Sequence, residues 1–470
     1  MKRLFPAASA LLLCLVFVSA LPAPAVGEED MAPATRGQDD GRTFSTGTNF
    51  FDDAQISGGF YAFRRYRSRY SPEEGRYNPN LNHATIQANA EFVSGFLGDH
   101  IGFDLGVFGS HDVLNTRSVD HEMSFFPWSD PWHPKSGKQS TEDGFSVYKA
   151  ALKAKAGPFR TRAGWFQPEG PGVLGVNWSF MPGTYRGGEA GFEHGGLSVA
   201  LAWADEYKAP WYQSTNAFTK NDGETNVPWL WSSGVRYAFE NGPVLELAYG
   251  SSKGHLKNAH FKSRYGLELY GGTLTFGYHL YAMDDSDDSG ASENDNFDGI
   301  ASQHFLFAAY AHAPWTLRLE GTWTRAPMSS EHSQGQFAYR LTDRSGSSKG
   351  AYEPWWDARS DWNAHDEKAF FFGVERSLDD ILPWEGFSVG AGAAMGFDGK
   401  AWDTAEHFKE WAFTADVGYT HPDGPLKGAY AKFHYTEYRN GTGKPSWDPY
   451  RNGFQSEHDF KFMVGIPFSF

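Results

Sequence analysis

Five basic side chains crowd one short stretch of this chain. Lys149, Lys153 and Lys155 alternate with Tyr148, Ala150, Leu152 and Ala154; after Gly157-Pro158, Arg160 and Arg162 alternate with Phe159, Thr161, Ala163 and Trp165. In extended chain, successive side chains point to opposite faces, so the five cations share one face of a hairpin. A row of charge on one wall can select solutes and orient their dipoles. Its acidic counterpart is expected from loops or from an opposite wall, with Glu189 and Glu206 as candidates. A second kind of chemistry lies in the connecting segments, where aromatic rings are interleaved with charge. Trp128, then Trp178 to Tyr185, then Glu206 and Trp211, and finally Trp356, Arg359 and Asp361 are such residues. Any one tryptophan is as well explained by packing or by a membrane interface. As a set they suit sugar, because flat aromatic faces stack on pyranose rings while charged groups bind hydroxyls. The candidates for sugar contact are therefore Trp128, Trp178, Tyr185, Glu206, Trp211, Trp356, Arg359 and Asp361.

Catalytic signals are missing. There is no nucleophile elbow, phosphate-binding glycine loop or HExxH, and the histidines show no ligand spacing. Asp285-x-Asp287-x-Ser289-Gly290 loosely resembles a calcium loop, but its twelfth position is Asn296 rather than Glu. A solvated external loop is the better reading of that acidic run. No cofactor, no metal and no enzymatic activity are expected. A formal charge of −16 argues against a nucleic-acid partner.

These residues must be held by strands. Phe460, Phe462, Val464, Ile466, Phe468 and Phe470 alternate with Asp459, Lys461, Met463, Gly465, Pro467 and Ser469, giving one wholly apolar face that ends on the last residue. Trp411, Phe413, Ala415 and Val417 repeat the pattern, as do Ala431, Phe433 and Tyr435. About eighteen such segments can be placed, starting near residues 54, 83, 101, 144, 159, 186, 197, 228, 243, 260, 273, 303, 315, 367, 386, 408, 426 and 459. One set of connections is mostly tight, for example Gly98-Asp99, Gly195-Gly196 and Gly271-Gly272; the other is mostly long, including 111–143, 166–185, 207–227, 283–302, 326–366 and 439–457. The 166–185 loop has glycine and proline at both ends and could fold inward to narrow a pore.

Short turns on one rim and long loops on the other predict an all-β transmembrane antiparallel barrel of about 18 strands, with short periplasmic turns and long extracellular loops. An even strand number puts both chain ends on the periplasmic rim. With 40% hydrophobic residues, 17% aromatics and 53 glycines, the composition suits strands and turns rather than apolar helices. Phe462, Phe468 and Phe470 are expected to form the assembly signal read by the barrel-assembly machinery. The alternative from another class is an exported soluble β-rich carbohydrate-binding protein or glycoside hydrolase.

Lys2 and Arg3 precede the apolar run Ala10 to Ala20, and Ala23-Pro24-Ala25 follows. This predicts a signal peptide over 1–25, a polar leader over 26–48 and the barrel over 49–470. Cleavage would remove Cys14, the only cysteine.

Several longer stretches carry a family resemblance. They are Val147 to Ala151, Trp178-Ser179-Phe180-Met181-Pro182-Gly183-Thr184-Tyr185, Glu206 to Trp211, Leu317 to Trp323, Trp355-Trp356-Asp357-Ala358-Arg359-Ser360-Asp361, and Lys461 to Val464 with the terminal Phe470. Through them the chain resembles the OprD-type outer-membrane porins, and more closely their chitoporin branch. The resemblance implies a monomeric eighteen-strand barrel in the outer membrane of a Gram-negative bacterium. It also implies passive passage of small substrates past a ladder of basic residues, with Lys149, Lys153, Arg160 and Arg162 on the matching hairpin. Its chitoporin branch implies uptake of chitooligosaccharides, with sugar contacts in Trp178–Tyr185 and Glu206–Trp211.

Overall fold

The computed structural model describes residues 49–116, 144–176, 183–209, 215–220, 223–285, 297–328, 335–342, 350–400, 407–441 and 455–470. Its strands are β1 (Gln55–Ser71), β2 (Arg76–Val93), β3 (Ile101–Thr116), β4 (Gly144–Ala156), β5 (Phe159–Phe166), β6 (Thr184–His194), β7 (Leu197–Lys208), β8 (Asn216–Thr219), β9 (Asn226–Val227) and β10 (Leu230–Ala238). They continue with β11 (Val244–Ser252), β12 (Leu256–Leu269), β13 (Gly272–Asp285), β14 (Ile300–His312), β15 (Trp315–Arg325), β16 (Lys368–Ser377), β17 (Phe387–Lys400), β18 (His407–Thr420), β19 (Tyr430–Asn440) and β20 (Glu457–Ser469). Short β8 and β9 form a hairpin hung on the end of β7, while β7 pairs directly with β10. The remaining 18 strands run antiparallel to their neighbours, and β1 pairs with β20 to close the ring. Closure leaves no strand edge, so every rung of the ladder is paired without water. The sequence-predicted strand count therefore stands.

Alternation decides the two faces. On β20, Glu457, Asp459, Lys461 and Met463 are buried inside, while Phe462 and Ile466 are exposed outside. Phe468 and Phe470 lie on the same outer face, and the Phe470 backbone exchanges hydrogen bonds with Ile56 of β1 (2.8 and 3.1 Å). Both described ends thus share one rim, here the terminal rim. Trp315 and Trp323 stand on the outer face of β15 with Leu317 and Leu319 between them, all exposed. At about 3.3 Å per residue, the two indoles are roughly 26 Å apart along the strand, or about 20 Å along the membrane normal for a strand tilted near 40°. That is the height of an apolar band with an aromatic at each border.

Register shifts interrupt several ladders, and at one of them a ring changes face. Tyr148 is expected on the outer face with Leu152, yet it is completely buried inside against Phe108 (centroids 5.7 Å). A register shift in the β3–β4 ladder between Gly106 and Val107 inserts one extra residue and turns the ring inward. Tight turns at 72–75 and 253–255 also appear on the rim that otherwise carries the long loops.

Candidate functional site

The segment Gly350 to Glu367 leaves the loop rim and crosses the barrel interior as a strap. Near its start, the Glu353 carboxylate takes Lys262 of β12 at 2.7 Å and Arg264 at 3.3 Å, and its backbone N–H donates to the Tyr281 hydroxyl of β13 at 3.2 Å. The Tyr352 hydroxyl donates to Gln303 of β14. Trp356 donates through Nε1 to Glu320 of β15 (2.8 Å) and lies flat on Phe371 (centroids 5.6 Å, 17°). Beyond it the strap reaches the far wall. Asp357 pairs with Lys461 of β20 and with His434 of β19 (3.4 Å), Arg359 with Glu457 of β20 (2.6 Å), and the Ser360 hydroxyl donates to Glu410 of β18 (2.7 Å).

The electrostatics of the anchors follow from these partners. Burial opposes ionisation of Glu353, but Lys262, His279 and Arg264 outweigh it and hold the carboxyl below the ordinary range. Asp357 is likewise buried, and His434 and Lys461 lower it to about 2. The strap's own backbone does not favour its path. Asp357, Arg359, Trp362 and Asp366 all have φ between 50° and 73°. Non-glycine residues in that region cost about 1 kcal/mol each, so the side-chain anchors must hold them there.

A second segment, 167–176, lies against the inner face of β7, β10 and β11. Val173 N–H donates to Ser232 Oγ (2.8 Å), and Ala351 N–H donates to the Val173 carbonyl (3.2 Å), which joins this loop to the strap. The close approach needs small neighbours: a Cβ on Gly234 would stand 2.5 Å from the Pro171 backbone, and one on Gly170 would stand 2.2 Å from the Ala200 Cβ. Of the 166–185 loop, whose Gly/Pro punctuation suggested an inward fold, the described residues 167–176 do fold inward, against the wall and the start of the strap. Among the described residues it is the strap, whose inward course had no local signal, that reaches from one wall of the lumen to the other.

All five predicted cations face inward on β4 and β5, but they are not an open ladder. Lys149 pairs with Glu91 (2.7 Å), Lys153 with Asp104 (2.7 Å), Lys155 with Asp99 (2.5 Å), and Arg162 with Glu169 and, at 3.6 Å, with Glu189. Arg160 donates to the carbonyls of Gly157 and Phe159 (2.6 and 3.0 Å). Of the loops and the opposite wall from which acidic partners were expected, a loop supplies Glu169, while the other carboxylates come from adjacent strands and from the turn at Asp99. Glu189 is among them. Glu206 is not: it contacts Arg186 (2.9 Å) and Thr215 (2.7 Å) at the loop rim.

The aromatic candidates divide. Tyr185 is fully buried against Tyr207 (4.6 Å) and Phe218, a packing role. Trp356 is buried, and Arg359 is engaged by Glu457. Asp361 lines a small interior pocket with Trp355, Trp356, Ser360 and Trp362. Within that pocket Trp355 keeps 40% of its surface exposed, whereas Trp356 is buried. Trp128, Trp178 and Trp211 lie outside the described residues. Among the described residues no cluster of three or more His, Cys, Asp or Glu is placed to hold a metal ion.

Known proteins share this architecture. The solved structure of Acinetobacter baumannii OccAB1 superposes with a TM-score of 0.73 at 16% identity, covering 91% of this chain and 99% of that one. Pseudomonas aeruginosa OpdK, crystallised with vanillate, gives 0.71 at 14% identity over 90% and 100%. These distant likenesses concern the fold alone. A chitoporin of Escherichia coli (strain K12) is 39% identical over 448 residues, 89% of this chain and 92% of that protein. The family model described as outer membrane porin, OprD family, matches residues 48–460. With the matching family spread over nearly the whole barrel, the chain belongs to the OprD family of outer membrane porins.

Proposed function

We propose that this outer-membrane barrel is a monomeric diffusion channel for oligosaccharides, with chitooligosaccharides as its preferred solutes. The observation that carries this reading is the pocket on the strap. There the partly exposed Trp355 stands beside Asp361 and Ser360 on the segment that crosses the lumen. A pyranose ring can stack on the indole while its hydroxyls donate to the carboxylate. Similarity to a chitoporin favours chitooligosaccharides over other sugars. Solute moves down its gradient, and the site must bind weakly enough to release. No cofactor or energy source enters.

Single-channel recording in planar bilayers tests this. Chitooligosaccharides are expected to give brief current blocks and maltooligosaccharides none. Trp355→Ala is expected to weaken the blocking constant roughly 2- to 10-fold, the range of one aromatic stacking contact. Equal block by both sugar series, or none by either, would leave a general porin.

The loop rim faces outward from the cell in this reading, the terminal rim faces the periplasm, and residues 1–25 are a cleaved signal peptide. The last strand is the element read by the barrel-assembly machinery. Deleting Phe470, whose backbone completes the β1–β20 ladder, should therefore lower the amount of heat-modifiable barrel in outer-membrane fractions. Unchanged levels would count against that role.

A further inference from the structure

We infer that Glu91, Asp104 and Glu169 are specificity-determining residues: by masking the basic row one rung at a time, they make the pore lane pass uncharged sugars and turn away small anions. Three of the row's five cations, Lys149, Lys153 and Arg162, lie on neighbouring strands, with Lys153 opposite Arg162 in the β4–β5 register. Left bare, three cations on one wall would concentrate anions. Here each has a carboxylate from a different element. Glu91 comes from β2 and Asp104 from β3, each at 2.7 Å, and Glu169 comes from the 167–176 loop. The cationic side chains keep only 7, 4 and 5% of their surface open.

Two physical consequences follow. A cation and an anion in contact act at a distance as a dipole, whose field fades much faster than that of a lone charge and is screened within about 8–10 Å in salt water. A passing chloride or carboxylate therefore meets little net attraction. To reach an ammonium it must break a covered ion pair, which is strongly unfavourable. An uncharged sugar need break nothing. Of the three carboxylates Glu169 is the least covered, at 23% open, and can still accept a hydroxyl donor. The masks also hold the loop: Glu169 and Gly170 N–H groups donate to Glu189 (3.2 and 2.9 Å), so the partner of Arg162 is fixed in place.

This inference rests on the proposed sugar pathway only for the identity of the favoured solute, since ion selectivity is read separately. The experiment is the zero-current potential in a KCl gradient, for the wild type and for the Glu91→Gln, Asp104→Asn, Glu169→Gln triple variant, each first shown to be a heat-modifiable barrel. The wild type should have a chloride-to-potassium permeability ratio at or below one, and the triple variant should raise it at least threefold. Adding Lys149→Met to Glu91→Gln should bring that single variant back towards the wild-type ratio. Should the triple variant fail to assemble, Glu169→Gln alone, on a loop, should still shift the ratio towards chloride. A wild type already several-fold anion-selective, or folded variants with an unmoved ratio, would overturn the inference. Block of the wild type by uncharged chitooligosaccharides, recorded in the same bilayers, reports on the sugar pathway itself.

Discussion

Releasing the strap from its anchors should raise single-channel conductance roughly two- to fivefold and abolish sugar block, because an eighteen-strand ring without an inward loop leaves an aqueous channel. The variant is Glu353→Gln, Asp357→Asn, Arg359→Gln. Glu353 is the strap's tie to Lys262 and Arg264 on one wall, and Asp357 and Arg359 are its ties to Lys461 and Glu457 on the other. Four non-glycine residues in the left-handed region oppose the docked path, so neutral replacements leave little to keep it. The same conductance should respond to acid. Docking favours ionised Asp357, whose pKa falls from 3.8 to about 2, and it lowers Glu353 in the same direction. A depressed carboxyl contributes stability that is complete above its unfolded value and is lost as pH falls through its folded value. Conductance should therefore be flat from neutral pH to about 5 and rise only as pH drops below about 4. A folded triple variant with wild-type conductance would remove the strap from the constriction.

How much of this was legible in the residues depends on the range of the interaction. Alternation is a local property, so the outward Phe462, Trp411, Phe433 and Leu152 and the inward Lys153 and Arg162 could all be assigned from the string. A bulge is invisible to it. Tyr148 obeys the alternation in sequence and breaks it in space because one residue of β4 has no counterpart on β3. Partners across strands are harder still. Nothing near Lys149 marks Glu91, 58 residues earlier, as its mate, and Arg359 meets Glu457 across 98 residues. The strap's aromatic and charged composition drew attention to Trp356, Arg359 and Asp361, yet their roles depend on which ring ends up covered. Phe371 stacks on Trp356, which is buried, while Trp355 stays the more exposed of the two.

The largest loss of stability is expected at the seam. On β1 and β20 the Arg65 guanidinium grips both Asp459 oxygens, with Nε to Oδ1 at 2.9 Å and Nη2 to Oδ2 at 2.6 Å as the shortest bonds, and both side chains are almost fully buried. Removing one member of such a pair strands a covered charge, at a cost of about 3–5 kcal/mol. Here the cost falls on the one ladder that joins the first strand to the last, where local opening would expose two strand edges. Asp459→Ala should therefore lower the temperature at which the folded band converts to the unfolded one in detergent gels, and shift the urea midpoint in lipid vesicles the same way. Pairing it as Arg65→Met with Asp459→Leu should recover most of the loss, since well-packed apolar residues can replace a buried ion pair. The control is Asp205→Asn at the loop rim. Asp205 makes the same two-bond contact, with Arg186 at 2.8 Å, but the partners are 28 and 46% exposed. Water and salt reduce such a pair to about 1 kcal/mol or less. Equal destabilisation by the two single variants would mean that burial is not what gives the seam pair its weight, whereas a large gap closed by the double variant would locate barrel closure in that one covered contact.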